Sequence, residues 1–374
     1  MDWILNQFSS VPVDKMKPFI RNLLRVSVYQ LKYMKVPASA ACNEAVKLAK
    51  KRRFAGLSGF VNGVLRKTAR EIPSLQEEEW AVRYSMPEWL LAMWEKEYSQ
   101  ETLRQLLEGF YEKGERGICV RCNLSRASAE ETEKSLAEEG VKVLRDPELP
   151  QVLYLQEAGD LEELSAFRKG WFAVQDKSSV QAGLAAAPEP GDFCVDVCAA
   201  PGGKSLHLAD LMGGEGMVES RDLTPEKCAY IEENARRCGF QNIHITGWDA
   251  REFDESLEES ADVLLADLPC SGLGILGGKP EIKYRMNEEK LESLAKLQRE
   301  ILSTVWRYVK PGGRMVYSTC TIHRAENEEQ ARWFCGRFPF RLLKEKQYLP
   351  GIDGCDGFYI AVLERKKEDG TDGS

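Results

Sequence analysis

The stretch that decides the fold is Cys194-Val-Asp-Val-Cys-Ala-Ala-Pro-Gly-Gly-Lys-Ser205, in which an apolar strand runs into a loop of small residues and then into a helical pattern. Small side chains let the backbone approach a nucleotide-like ligand closely, and Gly202 and Gly203 permit unusual dihedral angles. The helix that follows presents free amide groups at its start. Two adjacent glycines also fit an ordinary strand-to-helix connection, so the residues further along the chain decide whether this loop binds a ligand.

Strand patterns alternate with helix patterns from residue 170 onward. Strands are predicted at 193–197, 216–221, 243–247, 263–267, 314–318 and 357–363, and helices near 204–212, 225–238, 288–309 and 326–337. This alternation is typical of βαβ units and a parallel sheet, so we expect an α/β domain over residues 170–365. Residues 366–374 are polar and contain glycine, and we expect a disordered tail there.

The charge of the chain is divided unevenly. Residues 1–73 hold 14 Lys and Arg against 4 Asp and Glu, a net of +10; because the whole chain carries −8, the remainder carries −18. A basic module on an acidic body is expected where one part meets a phosphate backbone. A solvated basic face without a partner remains the alternative.

Composition excludes several protein classes. No apolar run approaches the length that spans a membrane, so we expect a soluble protein that makes no membrane contact. The eleven cysteines lie singly in apolar surroundings and no secretory signal precedes them, which favours a reduced cytoplasmic location. Cys119 and Cys122 have the spacing of metal ligands, but no second pair completes a site, so no metal is expected.

Two smaller domains are predicted ahead of the α/β domain. Residues 1–73 show helical spacing throughout, with three helices, one of them opening at Ser39 as N-cap. A helical linker and a small α+β module follow over residues 74–169. In that module, strands are expected at 117–123, 141–144 and 152–155, and Ser128 begins a capping box.

Candidate site residues follow the predicted strands. Ligands of doubly wound sheets bind outside the carboxyl ends of the strands. Asp222 comes about twenty residues after the glycine loop, where a carboxylate can accept both hydroxyls of a ribose, and Asp249 could accept from an adenine amino group. Cys270 and Cys320 each lie just past an apolar strand, fifty residues apart in sequence. Their position favours function, although buried cysteine is more often a small hydrophobe.

Three motifs carry a family resemblance. Cys198-Ala-Ala-Pro-Gly-Gly-Lys204, Asp267-Leu-Pro-Cys270-Ser-Gly and Ser318-Thr-Cys320-Thr resemble motifs of the Nop/Sun (RsmB/NOP) family of RNA (cytosine-5)-methyltransferases. Residues 1–70, which include Asn62-Gly-Val-Leu-Arg66, are similar to the later helices of the NusB-like domain in the branch that methylates 16S ribosomal RNA. The resemblance implies a seven-stranded, mostly parallel class I methyltransferase sheet, preceded by a small α+β RNA-binding module and an N-terminally shortened NusB-like RNA-binding domain.

The resemblance also implies the site and its cofactor, S-adenosylmethionine. The cofactor site would consist of these residues: Cys198, Ala199, Ala200, Pro201, Gly202, Gly203, Lys204, Asp222, Asp249 and Asp267. Cys320 becomes the nucleophile and Cys270 the group that permits product release, while Asp267 and Lys204 hold the flipped base. Two cysteines suit this chemistry because carbon 5 of cytosine is a weak nucleophile until a thiolate has added to carbon 6.

Basic residues are the expected RNA contacts, namely Arg52, Arg53, Arg66, Lys279 and Lys283. Two departures from the family pattern bear on RNA affinity. Gly277-Gly278 stands where basic residues are common, and Arg324-Ala-Glu-Asn327 stands where Pro-Glu-Glu-Asn is common. We expect a monomer that acts on 16S ribosomal RNA.

Alternative functions remain at this point. The same motifs serve cytosine-5 methyltransferases of tRNA or 23S ribosomal RNA, and an assembly factor that binds the cofactor with weak catalysis would share them too. A dinucleotide-dependent oxidoreductase is disfavoured because the loop lacks the Gly-x-Gly-x-x-Gly pattern.

Overall fold

A computed structural model describes residues 1–34, 36–75 and 79–367, and within that part the side chains of residues 113–116 are left undescribed. The predicted tail at 366–374 therefore lies almost wholly outside the described residues. The chain divides into two compact units, Met1–Glu88 and Trp89–Ser374. No helix of the described ranges is long and apolar enough to cross a membrane.

The first unit is helical. Its helices are α1 (Asp2–Phe8), α2 (Pro18–Lys32), α3 (Ala38–Lys51), α4 (Ser58–Glu71) and the short α5 (Trp80–Arg83). Apolar residues recur at helical spacing on α2 and α4, and Ile20, Leu24, Val61 and Leu65 form a buried core with Leu5 of α1. The predicted N-cap at Ser39 is wrong. The N-cap is Pro37, two residues earlier, and helix α3 begins at Ala38; the fixed φ and missing amide of proline suit the start of a helix.

The second unit begins with helices and a small sheet. Its first elements are α6 (Glu88–Glu97), α7 (Gln100–Arg116), β1 (Ile118–Cys122), α8 (Ala129–Glu138), β2 (Lys142–Arg145), β3 (Val152–Gln156), α9 (Ser165–Arg168) and β4 (Phe172–Val174). The four strands form an antiparallel sheet in the order β2-β3-β1-β4. The capping box at Ser128 is confirmed. Strand β4 was not predicted, and it lies past the expected module boundary at residue 169.

The α/β part of the second unit confirms the predicted fold class. Its elements are α10 (Lys177–Ala186), β5 (Phe193–Asp196), α11 (Gly203–Leu211), β6 (Met217–Asp222), α12 (Pro225–Cys238), β7 (Ile243–Gly247), β8 (Ala261–Asp267), α13 (Ile282–Arg285), α14 (Glu288–Val305), β9 (Val309–Thr319), α15 (Glu328–Arg337), β10 (Phe340–Tyr348) and β11 (Phe358–Arg365). Seven strands pair in the order β10-β11-β9-β8-β5-β6-β7. Strand β11 pairs antiparallel with both of its neighbours, and the other pairs are parallel.

This topology brings the predicted motifs to one edge of the sheet. Strands β5, β6, β8 and β9 run parallel, so their carboxyl ends meet on the same side. The glycine loop follows β5, and the two cysteines follow the neighbouring strands β8 and β9. Buried Val195, Leu264 and Met315 lie in the core that fixes these three strands. A ligand at this edge can therefore reach the loop and both thiols.

Candidate active site

The loop after β5 curves around the start of α11. Gly202 has φ +105°, in the left-handed region, and a Cβ built there would lie 3.3 Å from a methyl group of Ile231. The Gly202 amide donates to the Ala199 carbonyl oxygen at 2.7 Å, and the Ala199 amide donates to the Arg221 carbonyl oxygen at 2.8 Å. The loop is thus a tight backbone turn anchored to β6. Glycine is needed at position 202 because other residues rarely adopt that conformation.

Asp222 ties the end of β6 to the loop. Its side chain is only 5% exposed. One carboxylate oxygen accepts from the Ala200 amide at 3.0 Å, and the other accepts from the Leu223 amide at 2.7 Å and from Lys227 Nζ at 2.8 Å. The Lys227 side chain is half exposed, so this ion pair lies at the surface of the site. Asp222 therefore lies beside the glycine loop at the end of β6, and its role as a ribose acceptor stays a prediction.

Asp249 follows β7 at the same edge of the sheet. Its carboxylate accepts hydrogen bonds from the guanidinium of Arg251, at 2.6 Å for the shortest, and these bonds lower the pKa of Asp249. The Arg251 amide also donates to it at 3.0 Å. Asp249 is thus an ionised acceptor, held in place by its own turn.

Lys204 and Asp267 form an ion pair beside the loop. Lys204 Nζ donates to one Asp267 oxygen at 2.7 Å, and the Ser318 hydroxyl donates to the other at 2.8 Å. The ammonium also lies over the ring of Phe358, 5.3 Å from its centre. Although burial opposes the charged form, the Asp267 carboxylate raises the pKa of Lys204 above its usual value. The ammonium and the carboxyl group together offer a donor and an acceptor to a polar ligand edge.

The two cysteines meet beyond the strand ends. The sulfur atoms of Cys270 and Cys320 lie 3.2 Å apart. The hydrogen bond with Cys320 and burial raise the pKa of Cys270 well above its ordinary value, so Cys270 stays a neutral thiol at physiological pH. The pair therefore consists of one protonated thiol held against a second sulfur, which suits two different roles at one reacting centre.

Sequence reasoning missed Asp196, the last residue of β5. The Ser205 hydroxyl donates to one of its oxygens at 2.7 Å, and the other oxygen has no hydrogen-bond partner among the described residues. Burial raises the pKa of Asp196 to about 7. The available signal was a carboxylate inside an apolar strand, since buried strands rarely carry an acid without a reason.

Two further polar residues escaped prediction because they are distant in sequence from the loops they bind. Glu326 accepts from the backbone amide next to Cys270, and Asn327 binds on both sides of Cys320. Both side chains are fully buried. Their only sequence signal was the family-like segment at residues 324–327.

The expected RNA contacts are placed unequally. Arg52, Arg53 and Arg66 are exposed on the first unit, and Lys279 is exposed on the second. Lys283 differs from the expectation, because it is only 7% exposed on the short helix α13 and burial lowers the pKa of its ammonium. This position does not offer the ammonium of Lys283 to phosphate.

The site fits a nucleotide-like cofactor on structural grounds. The positive φ of Gly202 and the close approach of Ile231 leave room for backbone but not for a side chain at the loop. The buried carboxylate of Asp222 points to the same loop, and Asp249 lies past the next strand. A tight glycine turn at the end of a strand, with carboxylates past the two following strands, suits a nucleoside with vicinal hydroxyls.

Comparisons with known proteins agree with this geometry. The profile of 16S rRNA methyltransferase RsmB/F matches residues 184–364, that of the NusB family matches residues 1–70, and the ferredoxin-like domain of RsmF/B-like methyltransferases matches residues 86–162. Among solved structures, the crystal structure of PH0851 has a TM-score of 0.81 and 30% identity, with 97% of this chain and 86% of that chain covered. NSun6 from Pyrococcus horikoshii, at 22% identity, has a TM-score of 0.67 over 75% of this chain and 99% of its own, which shows a shared fold.

Curated relatives cover nearly the whole chain. The probable ribosomal RNA small subunit methyltransferase B of Bacillus subtilis is 36% identical over 392 residues, covering 98% of this chain and 87% of the relative. The ribosomal RNA small subunit methyltransferase B of Vibrio cholerae is 32% identical over 362 residues, covering 92% and 81%. With this identity over almost its full length, the chain belongs to the RsmB family of small-subunit ribosomal RNA methyltransferases.

Proposed function

We propose that this protein methylates carbon 5 of a cytosine in 16S ribosomal RNA, with S-adenosylmethionine as methyl donor and a covalent bond between Cys320 and carbon 6 as intermediate. The observation that carries the proposal is the 3.2 Å approach of Cys270 and Cys320 at the strand ends, beside the Lys204–Asp267 pair. Most methyl transfers need no thiol. Two adjacent thiols are wanted when the acceptor is a ring carbon that must first be activated.

The cofactor half of the site consists of the loop at 198–204 and the carboxylates at the following strand ends. When bound, S-adenosylmethionine supplies an electrophilic methyl group on a sulfonium. The Asp222 carboxylate, which now accepts from Lys227, would accept from the ribose hydroxyls, and the Asp249 carboxylate, which now accepts from Arg251, would accept from the adenine amino group. The tight turn at Gly202, fixed by its own backbone hydrogen bonds, would leave the space beside the loop for the methionine end.

The base half of the site activates the cytosine. The Lys204 ammonium and the Asp267 carboxylate bind the polar edge of the flipped base, because one donates and the other accepts. The Cys320 thiolate adds to carbon 6, and the electron pair of the ring then makes carbon 5 nucleophilic toward the methyl group. Carbon 5 would bond to the methyl group as the methyl–sulfur bond of the sulfonium breaks and leaves a neutral thioether. Carbon 5 then loses its proton to a base, the carbon 5–carbon 6 double bond re-forms, and the bond from carbon 6 to Cys320 breaks to release the thiolate.

Cys270 serves the release step. Its raised pKa keeps it protonated, so it does not compete with Cys320 as the attacking thiolate. A neutral thiol against the Cys320 sulfur can donate a hydrogen bond to that sulfur and so stabilise the thiolate as it departs. We therefore assign attack to Cys320 and release to Cys270.

Recognition of RNA rests on different features. The net charge of +10 on residues 1–73, the exposed Arg52, Arg53 and Arg66, and the NusB family match support RNA binding by the first unit. The names of the relatives support the small-subunit RNA as target. A cytosine-5 methyltransferase of tRNA or 23S ribosomal RNA is the competing substrate assignment.

The test uses purified protein, labelled S-adenosylmethionine and three unmodified RNAs, namely 16S ribosomal RNA, 23S ribosomal RNA and bulk tRNA. We expect label in 16S RNA and protection of one cytosine from bisulfite conversion. Cys320→Ala should abolish the label, while Cys335→Ala, on α15, should leave it intact. Label on a nitrogen or a ribose, or label confined to 23S RNA or tRNA, would contradict the proposal.

A further inference from the structure

The two cysteine loops lie beyond the regular pairing of the sheet. Strands β8 and β9 pair in parallel register as far as Asp267 and Ser318. On its other side β9 stays paired with β11 to Thr319, and the Gly274 amide donates to the Cys320 carbonyl oxygen at 3.1 Å. Cys270 lies past both strand ladders, so the 3.2 Å approach of the two sulfurs also depends on side-chain restraints. The residues next to each cysteine show what these restraints are.

The Cys270 loop is held on both sides by a carboxylate and an amide. On one side, the Pro269 carbonyl oxygen accepts from Gln298 Nε2 at 3.0 Å. On the other side, the Ser271 amide donates to Glu326 Oε2 at 2.8 Å. Gln298 Nε2 also donates to that same Glu326 oxygen at 3.2 Å, which joins the two restraints. Cys270 is thus bracketed by hydrogen bonds that meet at Glu326.

The Cys320 loop is held on both sides in the same way by Asn327, the residue after Glu326. The Thr319 hydroxyl donates to Asn327 Oδ1 at 2.5 Å, and Asn327 Nδ2 donates to the Thr321 carbonyl oxygen at 3.0 Å. The hydroxyls of Ser271 and Thr321 also share a hydrogen bond at 2.7 Å, which connects the two loops directly. Two adjacent residues therefore bind both loops.

Burial makes these restraints stiff. Glu326, Asn327 and Gln298 are 0% exposed, so water does not compete for their hydrogen bonds. Burial raises the pKa of Glu326, and its Oε1 atom has no hydrogen-bond partner among the described residues. A buried carboxyl group with an unsatisfied oxygen destabilises a fold, and such groups are retained where they serve a function.

We propose that Glu326 and Asn327 are positioning residues that set the separation of the two thiols, Glu326 through the Cys270 loop and Asn327 through the Cys320 loop. The catalytic meaning of this separation rests on the proposed function, but the separation itself is measurable without RNA. A shift of about 1 Å between reacting groups lowers rates by roughly 100-fold, so correct placement of both thiols matters for turnover.

The test measures how fast the oxidant diamide links Cys270 to Cys320 in the full chain. Two S–H bonds break, one S–S bond forms, and the diazene takes up both hydrogens; mass spectrometry of the linked peptides gives the rate. We expect Asn327→Leu and Glu326→Leu each to slow the linkage at least about 10-fold, because displaced sulfurs meet less often. Asn123→Leu is the matched control. Asn123 is also buried, and its amide nitrogen donates to the carbonyl oxygens of Gly170 and Cys238, outside the two cysteine loops. The Asn123→Leu protein should therefore link Cys270 to Cys320 at the wild-type rate.

Two conservative variants separate positioning from other roles. Glu326→Gln keeps an acceptor for Ser271 and should link and methylate at nearly the wild-type rate, whereas a proton carrier would fail without its carboxyl group. Thr319→Val removes only the hydroxyl that binds Asn327, and it decides the case if Asn327→Leu does not fold; its linkage should slow at least about 3-fold.

Methylation supplies the second readout. In Asn327→Leu, kcat should fall about 100-fold while the Kd for S-adenosylmethionine stays unchanged. The proposal would be overturned if Cys270 and Cys320 linked at the wild-type rate in Asn327→Leu, Glu326→Leu and Thr319→Val. It would also be overturned if Asn123→Leu slowed the linkage equally, or if Glu326→Gln were inactive in methylation. Slow linkage in a protein that methylates some atom other than carbon 5 would leave the positioning role intact and refute the proposed function alone.

Discussion

Replacement of Asp196 by Asn removes a buried acid from the strand that leads into the glycine loop. The wild-type carboxyl group has a pKa of about 7 because burial disfavours its charged form, against an ordinary value of 3.8. In the folded protein the group therefore keeps its proton over a range of pH in which the unfolded chain has lost it. Asn cannot ionise, but its oxygen can accept the same hydrogen bond from Ser205.

The sign and size of the effect follow from proton linkage. Between pH 4 and pH 7 the folded state binds more protons at Asp196 than the unfolded state, so the free energy of unfolding falls as the pH rises. Roughly three pKa units at about 1.4 kcal/mol each give a loss of about 4 kcal/mol by pH 8. Below pH 4 both states are protonated at this site and the contribution vanishes. Asp196→Asn should therefore be more stable than the wild type at pH 8, by up to about 4 kcal/mol, and nearly equal at pH 4.

Urea denaturation at pH 4.5, 6 and 8, followed by tryptophan fluorescence, measures this difference. The control is Asp262→Asn: although burial opposes it, the Lys310 ammonium lowers the pKa of Asp262. The expected change in the free energy of unfolding has the opposite sign. Asp262→Asn should be less stable than the wild type at pH 8, and its stability should approach that of the wild type at low pH. A difference between Asp196→Asn and the wild type that is the same at pH 4.5 and pH 8 would refute the assigned pKa.

Two further predictions concern stability. Arg121→Met leaves the Asp210 carboxylate buried without the guanidinium that donates to it at 2.6 Å, and it should lower the free energy of unfolding by about 3–5 kcal/mol in urea denaturation. Arg145→Met, which breaks exposed ion pairs, should cost less than about 1 kcal/mol; equal losses in the two variants would contradict the account. Gly202→Ala forces a side chain into the left-handed region and should cost about 1–2 kcal/mol of unfolding free energy and weaken binding of S-adenosylmethionine in calorimetry. Gly203→Ala, whose Cβ meets only Gln175 at 3.8 Å, should keep its unfolding free energy within about 1 kcal/mol, and the reverse order would show that the turn is not the constraint.

Local patterns were sufficient to predict much of the sheet. Strands that are largely buried, such as β5 and β8, carry apolar runs, and the residues just past them mark the ligand edge. Strand β10 was missed because seven of its nine residues are polar or exposed, and an edge strand with no fully buried face leaves no alternation in the sequence. Strand β4 has only three residues, too few to show any period.

Long-range polar contacts could not be read from the sequence. Glu326 is 55 residues from Ser271, and Gln298 is 29 residues from Pro269, so no local pattern connects them. The burial of Lys283, which was expected to face phosphate, could not be read from the sequence either, because charge alone does not tell whether a lysine on a short helix is covered by other elements. By contrast, Cys270 and Cys320 were found because strand ends can be predicted and parallel neighbours bring their ends together.

The most direct test of the central claim is covalent capture of RNA by Cys270→Ala in the presence of S-adenosylmethionine. With release impaired, the bond between Cys320 and carbon 6 should persist, and a protein–RNA band should remain on a denaturing gel with unmodified 16S ribosomal RNA. The double variant Cys270→Ala/Cys320→Ala should give no such band. Free turnover by Cys270→Ala without an adduct, or an adduct that survives the loss of Cys320, would contradict the division of roles between the two thiols.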